Sequence, residues 1–196
     1  MFTTQTYDLK NGKQLIIREA QKADAQAILD YIDHVVGETD FLTFGPGEFG
    51  ITVSQEETYI EKTQQSDNSL MLVAVIGEGI IGEGIIGEGI IGEGIIGVLT
   101  FTGAARSRVH HQGEMGITIL REHWGLGIGT HLIESLITWA RMGGIIRKIN
   151  LRTREDNHRA IALYKRLGFI VQGTLTREFY VNGEFYSSLV MGLEID

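Results

Sequence analysis

The segment at residues 124–130, Trp-Gly-Leu-Gly-Ile-Gly-Thr, constrains this chain more than any other. It follows a β-like run at 113–120 and leads directly into a helical pattern. Its three glycines, at alternate positions, leave backbone N–H groups uncovered where the helix begins. First-turn N–H groups lack intrahelical partners and the helix dipole favours an anion, so such a turn can wrap a phosphate. The segment therefore predicts a strand–turn–helix unit that binds a diphosphate ligand.

Two common nucleotide-binding patterns do not fit this turn. The dinucleotide fingerprint needs G-x-G-x-x-G and an acidic residue about 20 positions further on. Counted from Gly125 and Gly127, the third glycine position holds Thr130, and the next strand, at 146–152, is basic where the acid is required. The phosphate-loop pattern G-x-x-x-x-G-K-[ST] is absent from the sequence. Both nucleotide folds are therefore excluded.

A second motif lies just after the basic strand, where residues 157–169 read Asn-His-Arg-Ala-Ile-Ala-Leu-Tyr-Lys-Arg-Leu-Gly-Phe. With the glycine turn, it resembles the GNAT superfamily of acyl-CoA-dependent N-acyltransferases, which carry an R/Q-x-x-G-x-G/A turn and an N-x-x-A-x-x-L-Y-x-x-x-G-F helix. The glycines of the turn fall at Gly127 and Gly129, and Trp124 occupies the Arg/Gln position, which removes one side-chain contact. The resemblance covers roughly residues 12–194, with both motifs in order and correctly spaced.

The resemblance implies a mixed α/β fold with a mostly antiparallel central sheet flanked by helices. It implies an enzyme that transfers an acetyl group from acetyl-CoA to a primary amine, on a small molecule or at a peptide N-terminus, by direct attack in a ternary complex. No covalent intermediate is required, which suits a chain without cysteine. A module that binds acyl-CoA as a sensor, without turnover, is the alternative; intact Tyr164, Asn157 and Glu114 favour the enzyme.

The resemblance also implies a set of coenzyme-binding residues. The backbone of the strand at 113–120 is expected to pair with the pantetheine arm, and the glycine turn is expected to hold the pyrophosphate through its amides. The full set is Ile117, Thr118, Ile119, Trp124, Gly125, Leu126, Gly127, Ile128, Gly129, Thr130, Asn157 and Tyr164.

Three of the site residues have two interpretations each. Tyr164 matches the family's tyrosine near the coenzyme sulfur, which implies a general acid that protonates the leaving thiolate. The other interpretation is a half-buried residue that only packs. Glu114 deprotonates the amine through water, or it is a carboxylate at a strand end that faces solvent. Asn157 contacts the coenzyme, caps its helix, or does both.

In the family the amine lies against the first helix pair, the loop between them and the last hairpin. In this chain those regions supply Phe41, Phe44, Phe49, Arg177, Phe179, Tyr180, Phe185 and Tyr186. Ser188 stands where an Asp is frequent, which puts an amine-binding carboxylate there in doubt. Glu38 and Asp40 are candidates to replace it.

Composition limits the partners and cofactors. The absence of cysteine excludes disulfides, thiolate metal sites and a cysteine nucleophile. The net charge of −8 argues against nucleic-acid binding. Eight of the 17 basic residues lie at 141–166, either as a solvated surface or to attract the coenzyme phosphates. His110, His111 and His123 are expected to be solvated, with no metal site.

No leader and no apolar span of membrane length is recognised, so we expect a cytoplasmic protein without a membrane partner. Homodimers are common among GNAT proteins, which makes a second copy of the chain a further candidate partner.

The residue pattern predicts the order of secondary-structure elements. Strands are expected at 14–18, 70–76, 95–103, 113–120, 146–153, 169–176 and 184–194, and helices at 21–36, 54–65, 128–142 and 157–167. Ser54 is expected to cap the second helix with Glu57 in a capping box. Gly168 is expected to end the last helix.

The pentapeptide Gly-Glu-Gly-Ile-Ile occurs four times without a mismatch between residues 77 and 96. Deleting three copies leaves two β-rich runs joined by a short glycine loop, so the sequence predicts a single domain at 1–196 with the repeat inserted at a hairpin tip. Because a period of five reverses the two strand faces in each copy, short β segments are expected rather than one long ladder. A chain that folds poorly because of the insertion is a third possibility.

Overall fold

The computed structural model describes residues 2–77 and 92–196. The strands are β1 Gln5–Asp8, β2 Gln14–Glu19, β3 Leu70–Gly77, β4 Gly92–Gly103, β5 Gln112–Ile119, β6 Lys148–Arg154, β7 Ile170–Val181 and β8 Glu184–Glu194. The helices are α1 Ala25–Val36, α2 Val53–Gln64, α3 Ile128–Gly143 and α4 His158–Arg166.

One twisted sheet contains all of these strands, in the order β1-β2-β3-β4-β5-β6-β8-β7. Among the described strands, only the β5–β6 pair is parallel. Helices α1 and α2 pack on one face of the sheet, and α3 and α4 pack on the other. This architecture confirms the predicted mixed α/β fold with a mostly antiparallel sheet.

Helix α3 shows how the sequence builds this arrangement. Its apolar residues recur at helical spacing, and Leu132, Ile133 and Leu136 are fully buried against the sheet. The helix begins directly after Gly127, whose φ of 91° is left-handed. A residue with a side chain would be strained in that conformation, so the sequence fixes both the start of α3 and the shape of the turn before it.

The hairpin predicted around the repeat is present in the described residues. Strand β3 pairs antiparallel with β4, from Leu70 opposite Phe101 to Gly77 opposite Gly92, with register shifts on either side of Val75. Residues 78–91 lie outside the described part of the chain, and so does the prediction of short β segments there.

Several predicted boundaries were wrong. Thr52, not Ser54, caps α2; its hydroxyl accepts from the Gln55 amide, and Gln55 returns a bond in place of Glu57. The chain offers two overlapping capping boxes here, and in the helix that forms Glu56 is buried.

The remaining differences are in length and number. The first predicted helix opens with a 3₁₀ turn at Lys22–Asp24 before α1. The strand predicted at 169–176 continues to Val181 as the edge of the sheet, and strand β1 was missed. Within the described ranges, no helix is long and apolar enough to cross a bilayer.

Candidate active site

A gap in the centre of the sheet organises the site. Strands β5 and β6 are paired only from Gln112 opposite Lys148 to Glu114 opposite Asn150. Strand β5 continues to Ile119, but within these fully described strands no later residue of β5 is paired with β6. The β6-facing edge of residues 115–119 is therefore open to an extended ligand, which can pair with it as a strand would.

A large cavity of about 1420 Å³ opens at this gap. It extends from the start of α3 and α4, past β5, to the face of the sheet that carries α1 and α2. Most of the coenzyme-binding residues predicted from the sequence line it: Ile117, Thr118, Ile119, Trp124, Gly125, Gly127, Ile128, Gly129, Thr130, Asn157 and Tyr164. Leu126 does not; its side chain packs against the main core.

The glycine turn has the geometry that its sequence predicts. Gly125 and Gly127 both have left-handed backbones, with φ of 85° and 91°. A Cβ on Gly129 would lie 3.1 Å from Leu163 and 3.2 Å from Ile119, so this glycine allows α3, α4 and β5 to approach closely. The first turn of α3 thus faces the cavity with N–H groups that the helix itself does not use.

Basic side chains surround this end of the cavity. Arg159 lies over the Trp124 ring at 4.8 Å, and Arg166 donates from Nη2 to the Thr130 hydroxyl at 2.9 Å. The Trp124 indole donates to the Ile119 carbonyl at 2.7 Å, which ties the turn to the end of β5. Arg159 and Arg166 both line the cavity, so two residues of the basic cluster are placed where an anion would bind.

Tyr164 lies at the centre of the cavity wall and is only 7% exposed. Its ring contacts Phe169 at 5.9 Å, and no hydrogen bond to its hydroxyl is found among the described residues. Burial raises the pKa of Tyr164 to about 12, so the hydroxyl keeps its proton at neutral pH. The side chain is therefore packed, and it also lines the cavity.

Asn157 caps α4, as one of its two interpretations predicted. Its Oδ1 accepts from the Ala160 amide at 3.2 Å. The other end of α4 closes as predicted, because Gly168 has a left-handed φ of 94° and the Phe169 amide donates to the Tyr164 carbonyl. Asn157 also lines the cavity, so the capping role leaves room for a ligand contact.

Glu114 also lines the cavity, but it is paired. Its Oε1 lies 2.9 Å from Nε of Arg152, whose Nη1 contacts Glu178 Oε1 at 2.7 Å. The second oxygen of Glu178, Oε2, is buried without a partner in the described structure. The three side chains come from β5, β6 and β7 and carry a net charge of −1 on the cavity wall.

Half of the predicted acceptor residues line the cavity: Phe41, Phe44, Phe49 and Phe179. The others, Arg177, Tyr180, Phe185 and Tyr186, do not, and neither do Glu38 and Asp40. Ser188 is fully buried, and its hydroxyl has no partner in the described structure. Glu38 instead binds Arg121, through its side chain and its carbonyl.

Arg154 holds the loop that carries Phe41. It is 5% exposed, its guanidinium lies 3.8 Å from the Tyr186 ring and 4.8 Å from the Phe41 ring, and its Nη1 donates to the Asp40 carbonyl at 2.9 Å. Two further bonds to Asp156, at 3.0 and 2.6 Å, fix its plane and hold the pKa of the Asp156 carboxyl below its usual value. Arg154 therefore links the loop after α1 to the last hairpin.

Residues on the α2 side of the cavity were not predicted from the sequence. Glu56 and Tyr59 of α2 line it, and the Tyr59 hydroxyl lies 3.4 Å from the Thr102 hydroxyl, next to Glu114 on the neighbouring strand. One signal could have revealed Glu56. It shares helical spacing with buried Ile60 and Thr63, so a carboxylate occupies the inward face.

His111 is exposed as predicted, whereas His110 and His123 are less exposed than predicted. The His123 side chain is only 11% exposed and lines the cavity, and His110 is hydrogen-bonded within a network that includes Asn68 and Asp67. In residues 2–77 and 92–196, no group of three or more His, Cys, Asp or Glu side chains is arranged to hold a metal ion.

Comparison with known proteins matches this geometry to one family. Residues 48–169 match the sequence model of the Acetyltransferase (GNAT) family. The structure of a GNAT-family acetyltransferase from Streptococcus pneumoniae is similar, with 31% identity and a TM-score of 0.80 over 93% of this chain and 99% of the other. An acetyltransferase from Salmonella typhimurium, solved with its cofactor acetyl-CoA, shares the fold at 22% identity and a TM-score of 0.73, over 93% and 94% of the two chains.

A curated relative is similar to this chain over a shorter region. Spermidine N(1)-acetyltransferase from Escherichia coli strain K12 is 31% identical over 85 residues, which are 43% of this chain and 46% of that enzyme. The chain thus spans about half the length of the curated relatives it matches.

Proposed function

The chain belongs to the acetyltransferase (GNAT) family, and from this premise we propose that it transfers an acetyl group from acetyl-CoA to a primary amine by direct attack in a ternary complex. The observation that carries the proposal is the gap after Glu114 and Asn150, where an unpaired strand edge leads to the glycine turn at the start of α3. A pantetheine arm offers amide groups for the strand edge, and a pyrophosphate suits the helix N-terminus. The Salmonella typhimurium protein that shares this fold was solved with acetyl-CoA, which supports acetyl-CoA as the co-substrate.

In this proposal the coenzyme binds along the wall that the sequence motifs form. The amides of the turn, from Gly125 to Thr130, hold the pyrophosphate, with Arg159 and Arg166 adding positive charge. Leu126 contributes through its backbone only, because its side chain packs into the core. The backbone of Ile117, Thr118 and Ile119 holds the arm, and one of their N–H groups stabilises the developing oxyanion. Trp124 braces the turn, and Asn157 contacts the coenzyme while capping α4.

The chemistry then needs two proton movements. The amine must lose a proton before its nitrogen attacks the thioester carbon, and Glu114 accepts that proton through water. As the carbon–sulfur bond breaks, Tyr164 donates its proton to the leaving thiolate and recovers one from solvent. The Tyr164 hydroxyl is protonated at neutral pH, as a proton donor must be, and an unperturbed tyrosine would meet the same condition. Most of the catalysis is the positioning of two bound substrates, since a thiolate leaves readily.

The proposed acceptor is an amine-bearing small molecule, with a peptide N-terminus as the alternative. The similarity to spermidine N(1)-acetyltransferases supports the small molecule. The acidic and aromatic wall of the cavity, with Glu114, Glu178 and Phe179, also suits a cationic acceptor.

Release of the coenzyme thiol from acetyl-CoA tests the proposal. The panel is polyamines, amino acids, aminoglycosides and short peptides with free N-termini. We expect thiol release with at least one of these classes of amine, and that result would identify the class of the acceptor. If no class gives release and acetyl-CoA still raises the melting temperature, the chain is the sensor module; if neither occurs, the placement of the coenzyme is wrong.

A further inference from the structure

Glu56 is a buried carboxylate that faces the cavity without a partner. It is 3% exposed, it lies on α2, and it lines the same cavity as Glu114 and Tyr164. No ion pair or hydrogen bond to its carboxyl group is found in the described part of the chain, although a buried charge is normally paired. The Glu56 carboxylate therefore lacks a cationic partner in the described part of the chain.

The neighbouring residues of α2 show that the helix does not need a buried carboxylate at position 56. Glu57 and Glu61 point outward, and Lys22 lies 3.9 Å from the first and 3.0 Å from the second. A first-turn carboxylate interacts favourably with the helix dipole from an exposed position just as well. Turning Glu56 inward therefore costs desolvation and gives the helix nothing that Glu57 does not supply. Burial accordingly raises the pKa of the Glu56 carboxyl.

The surroundings of Glu56 suit a cation that comes from outside the protein. The same cavity wall carries Phe41, Phe44 and Tyr59, whose ring faces attract positive charge. Arg152, which lines the same cavity, is already bound to Glu114 and Glu178. In the cluster of Glu114, Arg152 and Glu178 two carboxylates share one guanidinium, and Glu56 adds to the same cavity a carboxylate that a bound ammonium would neutralise.

We propose that the Glu56 carboxylate binds a second ammonium group of the acceptor, so that diamines and polyamines are preferred over monoamines. The inference rests on the proposed acetyl transfer, since it assigns the far end of the acceptor in the same cavity. The near amine is neutral when it attacks at Glu114 and Tyr164, while the distal amine stays protonated and pairs with Glu56. Glu56 thus selects the substrate and takes no part in the proton transfers.

The test compares one diamine with the monoamine of the same carbon chain, putrescine with butylamine, in each variant. E56Q removes the charge with little change in shape, and E57Q is the matched control on the exposed side of the same helix turn. We expect the ratio of kcat/KM for putrescine to kcat/KM for butylamine to fall about tenfold in E56Q, as for the loss of one charged hydrogen bond. The ratio in E57Q is expected to match the parent. An unchanged ratio in a folded E56Q would overturn the inference.

A second measurement separates this inference from the proposed function. Putrescine is titrated calorimetrically into the parent and into E56Q, each saturated with coenzyme A. If the parent releases no thiol with any amine, the proposed transfer fails, but putrescine binding that E56Q lacks would still support the subsite. Binding that is absent from the parent, or equal in both proteins, would contradict it whatever the turnover.

Discussion

Glu114 and Asn150 form the last residue pair between β5 and β6, and the cavity opens directly beyond them. Tyr31 reinforces this geometry from α1, because its hydroxyl donates to the Thr118 hydroxyl at 2.9 Å and anchors the unpaired part of β5. The open edge of β5 is therefore supported from its other side by β4 and by this contact with α1. A ligand that pairs with it encounters a preformed surface, which lowers the entropy cost of binding.

The glycine turn gives the first prediction. Gly127→Glu should abolish acetyl-CoA binding, because a carboxylate would compete with the pyrophosphate at the N-terminus of α3. Gly144→Glu is the matched control: Gly144 is also left-handed, with φ of 68°, at the opposite end of the same helix. Both changes should cost about 1 kcal/mol of backbone strain. Calorimetry with acetyl-CoA checks the difference, and equal binding by both variants would show that the turn is not the site.

Tyr164→Phe should lower kcat by about 100-fold and leave the Kd for acetyl-CoA nearly unchanged, because it removes the proton donor but keeps the ring. Steady-state rates of thiol release give kcat, and a separate binding titration gives the Kd for acetyl-CoA. Tyr59→Phe is a useful comparison, since it removes a hydroxyl from the α2 side of the same cavity. An unchanged kcat in the Tyr164 variant would reduce this residue to a packing role.

The pKa of Tyr164 also predicts a pH profile. A group whose pKa is raised loses its proton only at higher pH, and here the protonated form persists to about 12. The kcat of the parent should therefore show little loss from Tyr164 between neutral pH and about pH 11, although an unperturbed tyrosine, with a pKa near 10, would be mostly ionised at about pH 11. A fall in kcat within that range that disappears in Tyr164→Phe would contradict the expected burial.

Asn157 allows its two roles to be separated. Asn157→Ala should lower the free energy of unfolding by about 1 kcal/mol, because α4 loses its N-cap. Asn157→Ser keeps a capping oxygen and should restore most of that stability. If Asn157 also contacts the coenzyme, both variants should bind acetyl-CoA more weakly than the parent. Full binding by the Ser variant would leave capping as the whole function.

Arg154→Lys should act on the acceptor and not on the coenzyme. Lysine keeps the charge but loses the planar contacts with Tyr186 and Phe41 and the paired bonds to Asp156. We expect a loss of about 1–3 kcal/mol in stability and a several-fold higher KM for the amine, with the KM for acetyl-CoA unchanged. Exposed Arg108→Lys is the control, and equal changes in both KM values would contradict a specific effect on the loop.

Local features were the most predictable from the sequence. The turn at Gly127, the helix α3 that follows it and the closure of α4 at Gly168 each depend on a few neighbouring residues, and all three were confirmed. The cap of α2 was a local feature that failed, because Thr52 and Ser54 are both followed by a suitable partner three residues later. The burial of Ile60 and Glu56 in the folded protein distinguishes the Thr52 cap from the Ser54 cap, and the local sequence does not carry that information.

Features that depend on distant parts of the chain could not be predicted. Nothing in the residues of β5 marks Glu114 as its last partner to β6, since strand pairing depends on the whole sheet. The contacts of Arg152 join three strands, and Glu178 follows it by 26 positions. Strand β1 has too few apolar residues to stand out, and only its pairing with β2 defines it.

The most direct test of direct transfer is a set of initial rates of thiol release, with acetyl-CoA and the best acceptor both varied. Attack within a ternary complex predicts double-reciprocal lines that intersect, since both substrates occupy the cavity together. Parallel lines would indicate a covalent acetyl-enzyme and would contradict the account. The absence of acceptor-dependent release with any amine would contradict acetyl transfer itself.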